Sequence, residues 1–344
     1  MEADILAPHF QDEDKAREFL EAKRWPDGTI CPHCGVIGES FRLQAKDEGK
    51  THVRKGVWKC NGCREQFSVT VGTVMEDSHI PLNKWLLAFH LLCASKKGMS
   101  AHQLHRMLGV TYKSAWFMAH RIRHAMTQEP LSSKLDGVVE IDEAYIGGKR
   151  RRLNNPGGGR QFGEQETQIG KRVFRQKREP GAATRGIHPH ADKEVVLSLV
   201  QRGGKVRSLH MERVTQDNLR PVLNEYLAEG AHVMTDSACV LSVDDPTVKH
   251  DRVNHTAKEY VRYENGVCIS TNTVEGYFAT LKRGIDGVYH HVGRQHLNRY
   301  LNEFDFRYNS RDVSDVERAT LALKGVDGKR LTYRDSCGKG NEAF

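Results

Sequence analysis

The sequence predicts a multidomain α/β protein: a metal-stapled ribbon, then a helical pair, then a sheet with flanking helices. Three observations carry this. Two C-x-x-C knuckles, Cys31-Pro32-His33-Cys34 and Cys60-Asn61-Gly62-Cys63, lie in the first fifth of the chain. Helical spacing dominates from Ile80 to about Met126. From Val138 onward the pattern reads strand, hairpin, helix, strand, the order of an α/β sheet in which the first and fourth strands can lie side by side.

At 344 residues the chain has room for two or more domains, which commonly run to roughly 100–200 residues each. The hydrophobic fraction of 38% suits a soluble globular core, and no uncharged apolar run approaches the roughly 20 residues that span a bilayer. The opening Met1-Glu2-Ala3-Asp4 lacks the basic then apolar pattern of a secretory signal. A cytoplasmic location with mostly reduced thiols is the expectation. The net charge of +8 is concentrated, because Lys149 to Lys193 holds twelve Lys and Arg against Glu164, Glu166, Glu179 and Asp192. Arg150, Arg151 and Arg152 lead that segment. Such a patch, without an apolar face beside it, points to nucleic acid ahead of membrane; a plain solvated loop is the alternative.

Taken in order, Phe10, Ala16, Phe19 and Leu20 space out a short amphipathic helix ending near Arg24, and Trp25-Pro26-Asp27-Gly28 is a turn. The knuckles follow, with Gly35 and Gly62 supplying tight turns that let Cys31, Cys34, Cys60 and Cys63 converge tetrahedrally on one zinc. Strand-like Val57-Trp58-Lys59 and Gln66 to Val71 complete a zinc ribbon that depends on its metal to fold. Free buried thiols or one redox pair would not account for two paired knuckles.

Ile80-Pro81-Leu82 begins a helix with Trp85, Leu86, Phe89, Leu92 and Cys93 on one stripe, broken at Lys97-Gly98. Ser100 is placed to cap a helix to Leu108, Gly109 to turn the chain, and Thr111 to cap a second helix from Tyr112 to about Met126. This is a helix-turn-helix outline, although an ordinary helical hairpin carries the same signals. In it the second helix would bury Ala115, Met118, Ala119 and Ile122 and expose Lys113, Arg121 and Arg123 to DNA.

The run Val138 to Tyr145 alternates, with Val139, Ile141, Glu143 and Tyr145 on one face and Glu140, Asp142 and Ala144 on the other. Asp142 is therefore a candidate metal ligand on a rigid strand, and Glu140 shares its face. Val195 to Gln201 and Lys205 to Met211 form a hairpin about Arg202-Gly203-Gly204, Thr215 caps a helix to about Glu229, and a short strand ends in Asp236. Ser270 to Gly284 reads as a helix with Glu275 in its first turn and Lys282 further along the same face. Asn272 and Glu275 also have capping-box spacing, which gives Glu275 a purely structural alternative. His296 to about Tyr308 carries a core stripe, and a short helix over 313–323 leads into a polar tail expected to be mobile. Cys93, Cys239, Cys268 and Cys337 have no ligand spacing.

Three carboxylates are the set that two-metal phosphoryl transfer needs, and magnesium (or manganese) suits an all-oxygen site. Together with the ribbon cysteines, several segments resemble the DDE transposases of bacterial insertion sequences, in the group with an N-terminal zinc ribbon. They are Glu140-Ile141-Asp142-Glu143-Ala144-Tyr145-Ile146-Gly147-Gly148, Thr235-Asp236, Val253-Asn254-His255, Thr271-Asn272-Thr273-Val274-Glu275-Gly276, Leu281-Lys282-Arg283-Gly284 and Tyr300-Leu301-Asn302-Glu303-Phe304. The resemblance spans most of the chain. It implies an RNase H-like catalytic domain, a mixed five-stranded sheet with flanking helices, in which Asp142, Asp236 and Glu275 bind the metal and Glu140 and Glu143 are left as supporting or structural residues. It also implies double-stranded DNA as the partner, held by residues that include Asn272, Lys282 and Arg283. The reaction implied is cleavage at terminal inverted repeats followed by transfer of a 3′-hydroxyl end into target DNA, by a homodimer or higher oligomer associated with the nucleoid. Ser270 is a departure, standing where the family pattern would place a histidine.

The expected division is 1–78 for the N-terminal helix and ribbon, 79–130 for the helical region, 131–312 for the catalytic domain with its basic insertion at 149–193, and 313–344 for the tail. Two other classes share these parts: a catalytically silent DNA-binding regulator or domesticated relative, and a magnesium nuclease that cuts without joining. The complete acid set and Lys282 disfavour the silent form.

Overall fold

The computed structural model describes residues 5–44, 54–127, 134–147, 165–169, 172–176, 193–236 and 248–336. At the N-terminus α1 (Pro8–Gln11) leads into α2 (Glu13–Arg24), whose first turn is closed by Asp12 accepting from the Lys15 amide at 2.8 Å. Strands β1 (Ser40–Arg42), β2 (Val57–Cys60) and β3 (Gln66–Ser68) form an antiparallel sheet in that order. Trp25, at the end of α2, sets its ring edge-on to Trp58 and Phe67, with centroids 6.1 and 5.8 Å away, an arrangement that ties helix to sheet.

Helices α3 (Leu82–Ala94), α4 (Ala101–Leu108) and α5 (Tyr112–Ala125) follow. Ser100 accepts from the Gln103 amide, Gly109 takes φ +60°, and Thr111 accepts from the Ser114 amide. The two caps and the left-handed glycine thus fix where α4 stops and α5 starts.

The large sheet is built from β4 (Val138–Ile146), β7 (Glu194–Gln201), β8 (Val206–Met211), β9 (His232–Asp236) and β10 (Lys249–Val253), in the order β10-β9-β4-β7-β8. Strand β4 runs antiparallel to β7 and parallel to β9, so the sheet is mixed. Between β4 and β7 lies an antiparallel pair, β5 (Gln165–Ile169) with β6 (Arg172–Gln176), inside the segment that the sequence marks only as a basic insertion. A further hairpin, β11 (Val261–Glu264) with β12 (Val267–Ser270), precedes α7 (Asn272–Gly284). Helix α6 (Gln216–Tyr226) stops three residues short of the expected Glu229, because Leu227 and Ala228 turn extended to pair with Leu135.

Alternation along β4 gives the sheet two dry faces. Val139 and Ile141 join Leu197, Leu199, Leu219 and Val233 under α6. Ala144, Val196 and Val200 face α7 and α8 (Leu297–Asn309). Burial on both sides is what a sheet covered by helices requires.

The helix expected over 313–323 is present, and only the residues after it depart from the mobile tail expected there. Helix α9 (Asp315–Lys324) packs on α3, burying Ala319, Ala322 and Leu323 in the core that also holds Leu20, Phe67 and Phe89. Val326 and Leu331 are buried beyond it, and α10 (Tyr333–Ser336) lies against α5. The apolar periodicity of α9 needs a partner, and the N-terminal helices supply it. Residues 337–344 lie outside the described part. No helix among the described residues is long and apolar enough to cross a membrane.

Candidate active site and metal centre

Asp142 sits in the middle of β4, two residues beyond the pairing of Glu140 with Met234. Continuing that parallel register brings Asp142 level with Asp236, at the C-terminal end of β9. Burial first, then the neighbouring charges of Glu143, Asp236 and Glu275, pushes the Asp142 carboxyl up to about 6, against the backbone N–H of Glu143, which donates to its Oδ1 at 2.8 Å. A buried acid raised further by neighbouring carboxylates is a frequent mark of a functional site.

Glu275 occupies the first turn of α7 and is half exposed. Asn272 makes no side-chain cap at this helix; Glu275 instead accepts a long hydrogen bond from Thr271 Oγ1 at 3.3 Å. The capping-box alternative for Glu275 is therefore absent. Between the acids stands His255, just after β10. Its Nδ1 lies 3.7 Å from Asp236 Oδ2, and its Nε2 lies 3.7 Å from Glu275 Oε1 and 3.4 Å from Thr271 Oγ1.

What aligns α7 with the sheet is Glu140, which is completely buried. Its carboxylate accepts from the amides of Thr273 and Val274 at 2.7 and 2.9 Å and from Thr273 Oγ1 at 2.9 Å. A strand residue thus satisfies orphan N–H groups at a helix start, with its charge at the favourable end of the helix dipole. Arg202 closes the arrangement: Nε donates to Glu140 at 2.6 Å, while its two terminal nitrogens donate to the carbonyls of Cys268 and Ser270 and to Ser270 Oγ. Sequence reasoning left Glu140 as a supporting residue, gave His255 no role, and read Arg202 only as a turn residue. His255 had a signal, its place in a matched segment; Arg202 had none.

Of the expected DNA contacts, Asn272, Lys282, Arg283 and Lys113 are exposed. Lys113 Nζ lies 4.6 Å from the Tyr333 ring centroid. Arg121 and Arg123 are a correction: they are 6% and 2% exposed. Arg121 donates to the carbonyls of Leu331 and Glu76, and Arg123 Nε pairs with Glu303 at 2.6 Å. Helix α8 and the C-terminal segment cover the side of α5 that the sequence suggests is open. Arg150, Arg151 and Arg152 lie outside the described residues.

The ribbon thiols meet. All four sulfurs of Cys31, Cys34, Cys60 and Cys63 lie within 4.8 Å of one another, with Cys31 to Cys63 at 3.7 Å and Cys34 to Cys60 at 3.6 Å. A tetrahedron with zinc–sulfur bonds of about 2.3 Å has edges of about 3.8 Å, so the donor set fits zinc. Among the described residues no carboxylate group converges as tightly.

A mixed sheet with flanking helices, joined to a ribbon whose four cysteines fit zinc, is the class of protein the fold defines, and comparison with known families supplies the rest. Residues 134–309 match the ISXO2-like transposase domain, and residues 11–66 match the transposase zinc-ribbon domain. The chain belongs to this family of zinc-ribbon, insertion-sequence transposases. It is also 26% identical, over 87% of its length and 91% of the relative's, to an uncharacterized protein in transposable element ISH50 of Halobacterium salinarum.

Proposed function

We propose that this transposase binds the terminal inverted repeats of an insertion sequence, cleaves DNA there, and joins the resulting 3′-hydroxyl to target DNA. What supports the chemistry is that the charges of Asp236 and Glu275 act on Asp142, from two strands and a helix, and that His255 lies 3.7 Å from each of the former two. These acids would hold magnesium or manganese. When bound, the ions activate a hydroxyl and stabilise the leaving oxygen. The residues' own part is positioning: β4 and β9 hold two acids at fixed height, Glu140 and Arg202 fix α7, and Lys282 and Arg283 offer charge to phosphates along the helix surface.

The ribbon in residues 1–78 and the α4–α5 pair in 79–130 would grip the element ends in a homodimer or higher oligomer on cytoplasmic, nucleoid-associated DNA, and residues 131–312 would form an RNase H-like catalytic domain. Asp142→Asn, Asp236→Asn and Glu275→Gln should each abolish magnesium-dependent cleavage of end-containing duplex while leaving duplex affinity within about 3-fold, since a metal ligand and not a phosphate contact is removed. Undiminished cleavage by any of the three would overturn the assignment.

A further inference from the structure

Helix α7 contains two glycines whose surroundings differ. At Gly284 a Cβ would meet Phe304 Cζ at 2.3 Å and the Lys97 carbonyl at 2.9 Å, so packing forbids a side chain. At Gly276 a Cβ would meet nothing within 4 Å. Glycine is the poorest helix former after proline, and no part of the fold requires it at this position. What lies over Gly276 is a cavity of about 600 Å³.

Asn272, Gly276 and Thr280 form its α7 wall, and Lys96, Tyr308 and Arg311 stand across it. Arg311 is held flat: its Cζ lies 4.5 Å from the Tyr308 ring centroid, and Nη1 donates to the carbonyls of Gly204 and Tyr308 at 2.8 and 3.0 Å. Asp315, a carboxylate of the lining, is paired with Arg318 at 2.6 Å, which leaves the cavity net cationic. Phe304 and Tyr277 add buried aromatic surface. The volume suits one small ligand and not a duplex. Glu275 directly precedes Gly276 on the same helix, although none of the three acids lines the cavity.

We propose that this cavity receives one unpaired nucleotide of the DNA strand, its phosphate against Lys96 and Arg311 and its base over Gly276 toward Tyr308. This rests on the DNA-cutting reading above and adds a strand contact on the helix that carries Glu275. Cations beside aromatic faces are the chemistry by which unpaired strands are held, and a glycine under the base allows close approach to the helix backbone.

The test uses the full, zinc-loaded chain and fluorescence anisotropy with a labelled short oligothymidylate and a labelled duplex of equal length. Gly276→Leu, which fills the cavity while improving the helix, should weaken oligothymidylate binding by roughly 10-fold and duplex binding by less than about 3-fold. Lys96→Ala with Arg311→Ala should do the same, which keeps the test open if the leucine variant misfolds. Thymidine monophosphate should displace the oligothymidylate, and inorganic phosphate should not. Equal weakening of both DNAs, no weakening in either variant, or phosphate competing as well as the nucleotide would each overturn the cavity while leaving the cleavage reading standing. A wild-type chain that binds neither DNA would overturn both.

Discussion

Glu140, fully buried, and Arg202, part-buried, form an ion pair at 2.6 Å that joins the strand carrying Asp142 to the start of the helix carrying Glu275. Removing the carboxylate by Glu140→Ala leaves the Thr273 and Val274 amides and Arg202 Nε without their acceptor. Breaking a buried pair from one side costs about 3–5 kcal/mol. We expect a loss of that size in urea denaturation together with loss of cleavage, and a smaller loss for Glu140→Gln, which keeps an acceptor. A Glu140→Ala protein as stable as wild type would contradict the role.

A second buried pair couples α5 to α8. Burial alone would push the Glu303 carboxyl up, but Arg307 and then Arg123 hold it down to about 2, and Tyr289 Oη donates to it at 2.7 Å. A depressed acid contributes stability that is present above its unfolded value of about 4.3 and lost as pH falls toward 2. The chain should therefore lose stability steeply between about pH 4.5 and 2. Glu303→Gln should flatten that slope while costing about 3–5 kcal/mol at neutral pH. Acid titrations of unfolding free energy for the two proteins decide this.

That pair also marks where the sequence stopped being legible. The caps Ser100 and Thr111, the turn at Gly109 and the zinc knuckles are local signals, written in adjacent residues, and the structure carries each of them. The β4–β9 pairing followed from the order of elements. Arg121 and Arg123 were misread because helical spacing shows which residues share a face, not what covers it: Leu331 and Glu303 come from roughly 200 residues downstream. The same holds for His255, which reaches the acids only because β10 pairs with β9.

The corrected arginines make a prediction about DNA binding. Lys113 is exposed, whereas Arg121 donates to two backbone carbonyls inside the protein. Each phosphate contact adds about 0.9 to the slope of log affinity against log salt. Lys113→Ala should lower that slope by about 1 for duplex DNA, while Arg121→Met should lower thermal stability and leave the slope of the folded protein unchanged. A lower slope for Arg121→Met would restore the exposed reading of α5.

Asp142 gives the opposite pH signature from Glu303. Its carboxyl is raised to about 6, by burial first and by neighbouring acids after that, whereas in the unfolded chain it titrates near 3.9. Between about pH 4 and 6 the folded chain holds more protons, so stability falls as pH rises through that window and stays lower above it. Without magnesium but with zinc retained, the cost at pH 7 is up to about 3 kcal/mol. Asp142→Asn removes the charge and should raise the melting temperature of the magnesium-free protein at pH 7 but not at pH 4. Adding magnesium should then stabilise wild type at pH 7, by binding the folded state, and leave Asp142→Asn nearly unmoved. A wild-type melting temperature that ignores magnesium at pH 7 would argue against these acids as its ligands.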